Sequence, residues 1–195
     1  MLNFFKSDRL AKAHQAIIAN DREQLLKQLN KMKPNEVDLP VSDSTAGFIE
    51  TCISLQRPKL LSLVLEHGAT PSGTTSDNTP YAIFALKQEQ SLSLLTALLT
   101  AGNNEDRDTL LKHCMKHSSE AQRMLHISLL LQHGATINDA LLIQALELGE
   151  RPLIHFLINS GAELSQLPQE IEASDETLSY AKQCLEDLRI RKMFL

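Results

Sequence analysis

The residues of this chain best suited to chemistry lie together in His113-Cys114-Met115-Lys116-His117. Two histidines four apart share one face of a helix, an arrangement that can hold zinc when further ligands approach. His126 is the nearest candidate for a third ligand, and no H-E-x-x-H motif accompanies it. A solvated polar helix face therefore outweighs a metal site. Cys52 and Cys114 fall at apolar helical positions, where a free cysteine acts as a small hydrophobe rather than a nucleophile. His67 and His133 each precede a glycine, where imidazole can bond the last carbonyls of a helix. There is no G-x-S-x-G, no phosphate-binding glycine loop and no nucleophile beside a local base. The expectation is a protein that is not an enzyme and needs no metal or cofactor. The competing reading is a metal-dependent or thiol enzyme on a helical scaffold, centred on His113, Cys114 and His117.

Composition narrows the scaffold. With 195 residues the chain is long enough for a continuous core. Thirty-five leucines against two tyrosines and no tryptophan favour packed helices over sheet. No run approaches the roughly 20 apolar residues that cross a bilayer. Met1-Leu2-Asn3-Phe4-Phe5-Lys6-Ser7-Asp8 meets charge too early for a signal peptide. Cys52, Cys114 and Cys184 are odd in number and widely spaced, which suits a reducing, cytoplasmic setting better than a disulfide framework. A formal net charge of −5, without a lysine/arginine cluster, argues against nucleic acid and for a protein partner.

One phrase organises the rest. Leu129-Leu130-Leu131-Gln132-His133-Gly134-Ala135 recurs as Leu63-Val64-Leu65-Glu66-His67-Gly68-Ala69, and more loosely before Gly102-Asn103 and Gly161-Ala162. A fixed phrase at intervals of a few tens of residues marks stacked units that cannot bury their apolar faces alone. Each glycine fits a helix C-terminus, where the chain turns left-handed. The glycine spacings are 34, 32 and 27 residues.

Around these glycines the sequence predicts pairs of short helices. Leu10 to Ala19 and Glu23 to Leu29 make a first pair, closed by Lys33 to Pro40 with proline as the breaker. Ser44-Thr45 caps a second unit, whose second helix runs from Lys59 to His67. Asp77-Asn78-Thr79-Pro80-Tyr81 opens the third with a cap and a proline in the first turn. The fourth opens near Asp106 to Thr109 and turns at Ser118-Ser119; in the fifth, Asn138 or Asp139 caps and Gly149 turns the chain. Gln166-Leu167-Pro168-Gln169 is a linker to a last helix from Ser174 to about Lys192, one polar face of which suits a cap.

These residues resemble ankyrin repeats. Thr79-Pro80-Tyr81-Ala82 matches the family's helix opening, Gly149 its middle glycine, and Gly68-Ala69, Gly134-Ala135 and Gly161-Ala162 its close, with Thr177-Leu178-Ser179-Tyr180-Ala181 a degenerate final half-repeat. The match is divergent. Gly47-Phe48 and Ala140-Leu141 replace Thr-Pro, and extra residues fall between the helices near Gln88-Glu89-Gln90 and His117-Ser118-Ser119-Glu120. Gly68 to Thr79 leaves room for a hairpin finger, whereas Gly102 to Thr109 and Gly134 to Ala140 require tight turns.

The resemblance implies an all-α, ankyrin-like helix-pair solenoid with a C-terminal capping helix. Its parts are a capping pair at 1–40, four repeats at 41–165, and a linker with the capping helix at 166–195. It also implies a protein-protein interaction module (an adaptor, inhibitor or neutralising partner) that binds at its concave groove and finger tips. In this sequence those places are Ser76, Asp77, Asn78, Lys87, Gln88, Asp106, Arg107, Lys116, His117 and Glu147, with Leu55 and Leu148 as apolar anchors. The expected target is a protein with a basic patch, engaged by a monomer or weak dimer, with no membrane and no nucleic acid involved.

Overall fold

A computed structural model of the chain describes residues 2–40, 46–162 and 171–194, with the side chains of α1 from Ser7 onward. Ser44-Thr45, Glu163-Leu164 and the Gln166–Gln169 linker lie outside the described residues. Among those described there is no strand, and twelve helices follow one another: α1 (Leu2–Ile18), α2 (Arg22–Leu29), α3 (Pro34–Val37), α4 (Phe48–Ser54), α5 (Pro58–Glu66), α6 (Tyr81–Leu86), α7 (Ser91–Thr100), α8 (Arg107–His117), α9 (Glu120–Gln132), α10 (Asp139–Leu148), α11 (Arg151–Asn159) and α12 (Asp175–Met193). They group as the pairs α1/α2, α4/α5, α6/α7, α8/α9 and α10/α11. The fold of the described residues is therefore all-α and built of helix pairs.

The recurring phrase folds the same way four times. Gly68, Gly102, Gly134 and Gly161 all have φ between +89° and +105°. Each donates its N–H three residues back, while the next residue reaches five back, as in Ala135 N–H to the Leu130 carbonyl at 2.9 Å. This pair of hydrogen bonds closes the last helical turn and turns the following small residue inward. Ala69, Asn103, Ala135 and Ala162 are accordingly buried. Asn103, in the loosest copy, meets its burial with bonds: its Nδ2 donates to the Pro71 carbonyl at 2.9 Å and its Oδ1 accepts from Glu105 N–H at 3.1 Å.

The chain divides into two compact units, residues 1–106 and 107–195. In the first, α1 packs on α4, α2 on α5, α4 on α6 and α5 on α7. The core takes Ala13 and Ile17 from α1, Leu25 and Leu29 from α2, and Phe48, Ile53, Leu61, Leu94, Leu95 and Leu98 from the later pairs. In this unit hydrogen bonds between residues 32 or 34 apart join one repeat to the next, close to the 34-residue spacing of Gly68 and Gly102. Asp38 accepts from Thr70 N–H (2.9 Å) and Oγ1 (2.6 Å), Ser72 Oγ accepts from Asn104 N–H (2.7 Å), and Gln56 Oε1 accepts from Gln90 N–H (3.1 Å).

In the second unit, α8 packs on α9 and α10, α10 on α11, and α12 covers α11 and touches α10. Leu110, Ile127, Leu130, Leu142, Leu146, Ile154 and Leu157 are buried at its centre. Asn138 caps α10 by accepting from Leu141 N–H at 3.0 Å, and Ser174 caps α12 by accepting from Thr177 N–H at 3.1 Å.

Four expectations change. The first helix begins at Leu2 rather than Leu10, because nothing from Leu2 to Arg9 breaks it. Pro80 is the N-cap of α6, outside its first turn, and no side chain caps that helix. The residues expected between α8 and α9 instead lengthen both helices, leaving only Ser118 and Ser119 between them. Finally, α12 does not behave as an opening first helix. Glu176 pairs with Arg151 at its start and Arg191 with Asn159 at its end, so it runs parallel to α11, as a second helix would.

Candidate interaction surface

The finger is the most sharply defined polar feature of the first unit. Thr74 and Pro80 form an antiparallel bridge. Between them Thr75-Ser76-Asp77-Asn78 makes a tight turn closed by Asn78 N–H to the Thr75 carbonyl at 3.0 Å. Asn78 sits at φ +61°, a left-handed conformation that asparagine tolerates better than most side chains. Thr75 is buried beneath the turn; its hydroxyl bonds the Asp77 carboxylate and accepts from Thr79 N–H at 3.1 Å. That hydroxyl holds the Asp77 carboxyl below its ordinary range.

Glu50 of α4 fixes the turn from outside. Its two oxygens accept from Ser76 N–H (3.0 Å) and Ser76 Oγ (2.9 Å). Ser76 is thus engaged within the fold, while Asp77 and Asn78 stay exposed beyond it. At the finger's base, Tyr81 lies so close to Gly73 that a Cβ there would come within 2.8 Å of its ring. Burial, then the charges of Glu50 and Asp38, push the Tyr81 phenol up.

The ends of the first helices carry the other expected residues. In the first unit Leu55 closes α4 with 38% of its surface exposed, and Lys87 closes α6, exposed. Gln88 is half-buried, its amide donating to the Phe84 carbonyl at 3.2 Å. Asp106 is exposed at the end of that unit. In the second unit Lys116 and His117 end α8 and are exposed, and Glu147 and Leu148 end α10, the leucine 49% exposed. Arg107 is half-buried, and its Nε donates to the His133 carbonyl at 3.2 Å, tying the start of α8 to the end of α9. Leu55, Lys87, Gln88, Lys116, His117, Glu147 and Leu148 thus lie where first helices stop, Ser76, Asp77 and Asn78 in the finger, and Asp106 and Arg107 at the start of α8, with Ser76, Gln88 and Arg107 bonded within the fold.

Folding parts Cys114 from His113 and His117. The two imidazoles stack with centroids 5.5 Å apart. Cys114 points into the core, and burial pushes its thiol up to about 12, so it stays protonated near neutral pH. His126 is fully buried and shares a 2.8 Å hydrogen bond with Ser118. Among the described residues no group of three or more His, Cys, Asp or Glu could hold a metal ion. Cys52 is likewise buried with its thiol raised to about 12, and Cys52, Cys114 and Cys184 are free. His67 serves a helix end: Nδ1 bonds the Leu63 carbonyl at 2.8 Å, and Nε2 reaches Asn30 of the preceding pair at 3.2 Å. Among the described residues no helix is long and apolar enough to cross a membrane.

Residues the sequence reading passed over also gather. Around α11 and α12, Arg151, His155, Asn159, Tyr180 and Arg191 line a 610 Å³ groove in the second unit. The 151, 155 and 159 spacing, four apart on one helix, was a visible signal, but only the structure sets α12 beside it.

No family model matches the chain, and no curated protein matches it. Among solved structures the chain is similar to the ankyrin repeat domain of Bcl-3, described as a unique member of the IκB protein family. The identity is 18%, covering 91% of this chain and 97% of that chain, with a TM-score of 0.46.

Proposed function

We infer that this protein is a binding module for another protein, acting as an adaptor, inhibitor or neutralising partner without chemistry of its own. The observation that carries this reading is the finger: Glu50 and Thr75 hold the turn in one conformation while Asp77 and Asn78 remain exposed. Fixing polar groups before contact lowers the ordering cost of association. In each unit the exposed residues at the first-helix ends, Leu55 and Lys87 in the first and Lys116, His117, Glu147 and Leu148 in the second, supply mixed polar and apolar contacts. The acidity of the chain and the exposed Asp77 and Glu147 suit a target with a basic patch, met by a monomer or weak dimer in the cytoplasm.

Affinity capture from extract of the source cells tests this. The intact chain should retain one protein in stoichiometric amount, and the triple variant Asp77→Arg/Lys87→Glu/Glu147→Arg should lose it while keeping its circular dichroism. Equal retention by both would overturn the reading. The enzyme alternative, with its centre at His113, Cys114 and His117, gains no support from a raised Cys114 thiol facing the core.

A further inference from the structure

The second helices of the second unit carry a surface of different character from the first-helix ends. The 610 Å³ groove lies against α11, with Met124 of α9 on one side and Tyr180 and Arg191 of α12 on the other. Arg151 and His155 are one helical turn apart on α11. Arg191 joins the row near Asn159, two turns from Arg151, by donating from its guanidinium to Asn159 Oδ1 at 3.1 Å. At 1.5 Å per residue Arg151 and Asn159, which anchor the two arginines, lie about 12 Å apart along α11.

Both guanidinium groups are held in place. Arg151 lies over the Tyr180 ring, 5.3 Å from its centroid, and Arg191 is fixed by Asn159 and by the Asp187 carbonyl at 3.3 Å. The floor between them is apolar, formed by Pro152, Phe156 and Met124, and Met124 is 38% exposed. A neighbouring 510 Å³ hollow shares Met124 and Pro152 and continues the groove along α9.

One carboxylate already occupies this row. Glu176 reaches Arg151 at 2.5 Å from a side chain that is itself 80% exposed, so it can be displaced at little cost. The corresponding second-helix groove of the first unit, between α5 and α7, is lined by Ser62, Ser93, Thr96, Ala97 and Thr100, and its one charge is Glu66. The cationic row is a particular of α11 and α12, not a general property of second-helix faces.

We propose that the α11–α12 groove binds an acidic segment of a partner protein, with carboxylates on Arg151 and Arg191 and an apolar side chain between them on Phe156 and Met124. That separation of about 12 Å sets the spacing: acidic residues about four apart in an extended segment, or about eight apart in a helix. This surface is independent of the finger and first-helix ends, and its variants leave those residues untouched.

The test uses the full chain and a fluorescent peptide of about twelve residues with Glu at every fourth position and Leu and Ala between them. Binding read by anisotropy should weaken about five- to tenfold in Arg151→Gln and again in Arg191→Gln, and should tighten in Glu176→Gln. The same peptide with Gln for Glu should bind much more weakly. Equal affinity for the two peptides overturns the proposal, as does indifference to the arginine variants in protein of unchanged circular dichroism. Displacement by inorganic phosphate at equal concentration would also overturn it, showing a simple anion site, and so would loss of peptide binding to self-association of the chain.

Discussion

Left-handed glycines carry the repeat at the level of single residues, and they do not all carry the same load. A Cβ on Gly134 would meet nothing within 4 Å, so a substitution there costs only backbone strain, about 1–2 kcal/mol at φ +90°. A Cβ on Gly68 would come within 2.7 Å of the Pro34 Cβ in addition to the same strain. Gly68→Ala should therefore lose more stability in urea denaturation than Gly134→Ala, and the opposite order would contradict the packing of α3 on that turn.

His14 and His126 make a second residue-scale prediction. Burial lowers both from the ordinary value of 6.5. Thr51 donates to the Gly47 carbonyl at 2.9 Å, which leaves His14 Nε2 to donate to Thr51 at 3.0 Å. His126 faces Ser118, with the Arg123–Glu150 ion pair and the Cys114 thiol close by. The unfolded chain takes up these protons near pH 6.5 while the folded chain resists until lower pH. Stability is thus full above about 6.5 and falls as the pH drops below it. The urea midpoint should decline from pH 7 to pH 5, less steeply in His126→Asn; equal slopes for the two proteins would dissociate His126 from the effect. The glycines were legible in the sequence because a helix end demands them. The burial of His126 was not, because no local pattern tells a core histidine from a surface one.

At the scale of elements, the pairing of helices was readable from leucine spacing, and the hairpin finger from the length of the Gly68–Thr79 connection. Neither short joint, residues 102–109 or 134–140, forms a β-bridge. What was not readable depended on partners distant in sequence. Glu50 lies 26 residues from Ser76, and the direction of α12 is visible only in the Arg151–Glu176 and Asn159–Arg191 contacts. The Glu50 contacts give a direct test. Glu50→Ala should speed hydrogen exchange at the Ser76 amide about tenfold, equivalent to losing a charge-assisted bond of about 1.4 kcal/mol, with little change in global stability. Unchanged exchange would mean the finger holds itself. Loss of a cap acts on one element too: Asn138→Ala should cost about 1 kcal/mol by freeing the Leu141 N–H, measured as a shift of the thermal midpoint.

For the whole molecule, the length of the repeat wanders, yet each unit keeps its stack because neighbours meet through bonds at the repeat interval. These are Asp38–Thr70 and Ser72–Asn104 in the first unit, and Arg123–Glu150 in the second. Helices of 6 to 13 residues, such as α6 and α9, are marginal alone in water. A peptide covering α10 and α11 should accordingly show little helix by circular dichroism. The central claim is that the protein meets its partner at the finger and the first-helix ends. Hydrogen–deuterium exchange of the full chain, with and without the captured protein, tests this most directly. Protection is predicted at residues 76–78, 87–88, 116–117 and 147–148, and unchanged exchange at all four would contradict it.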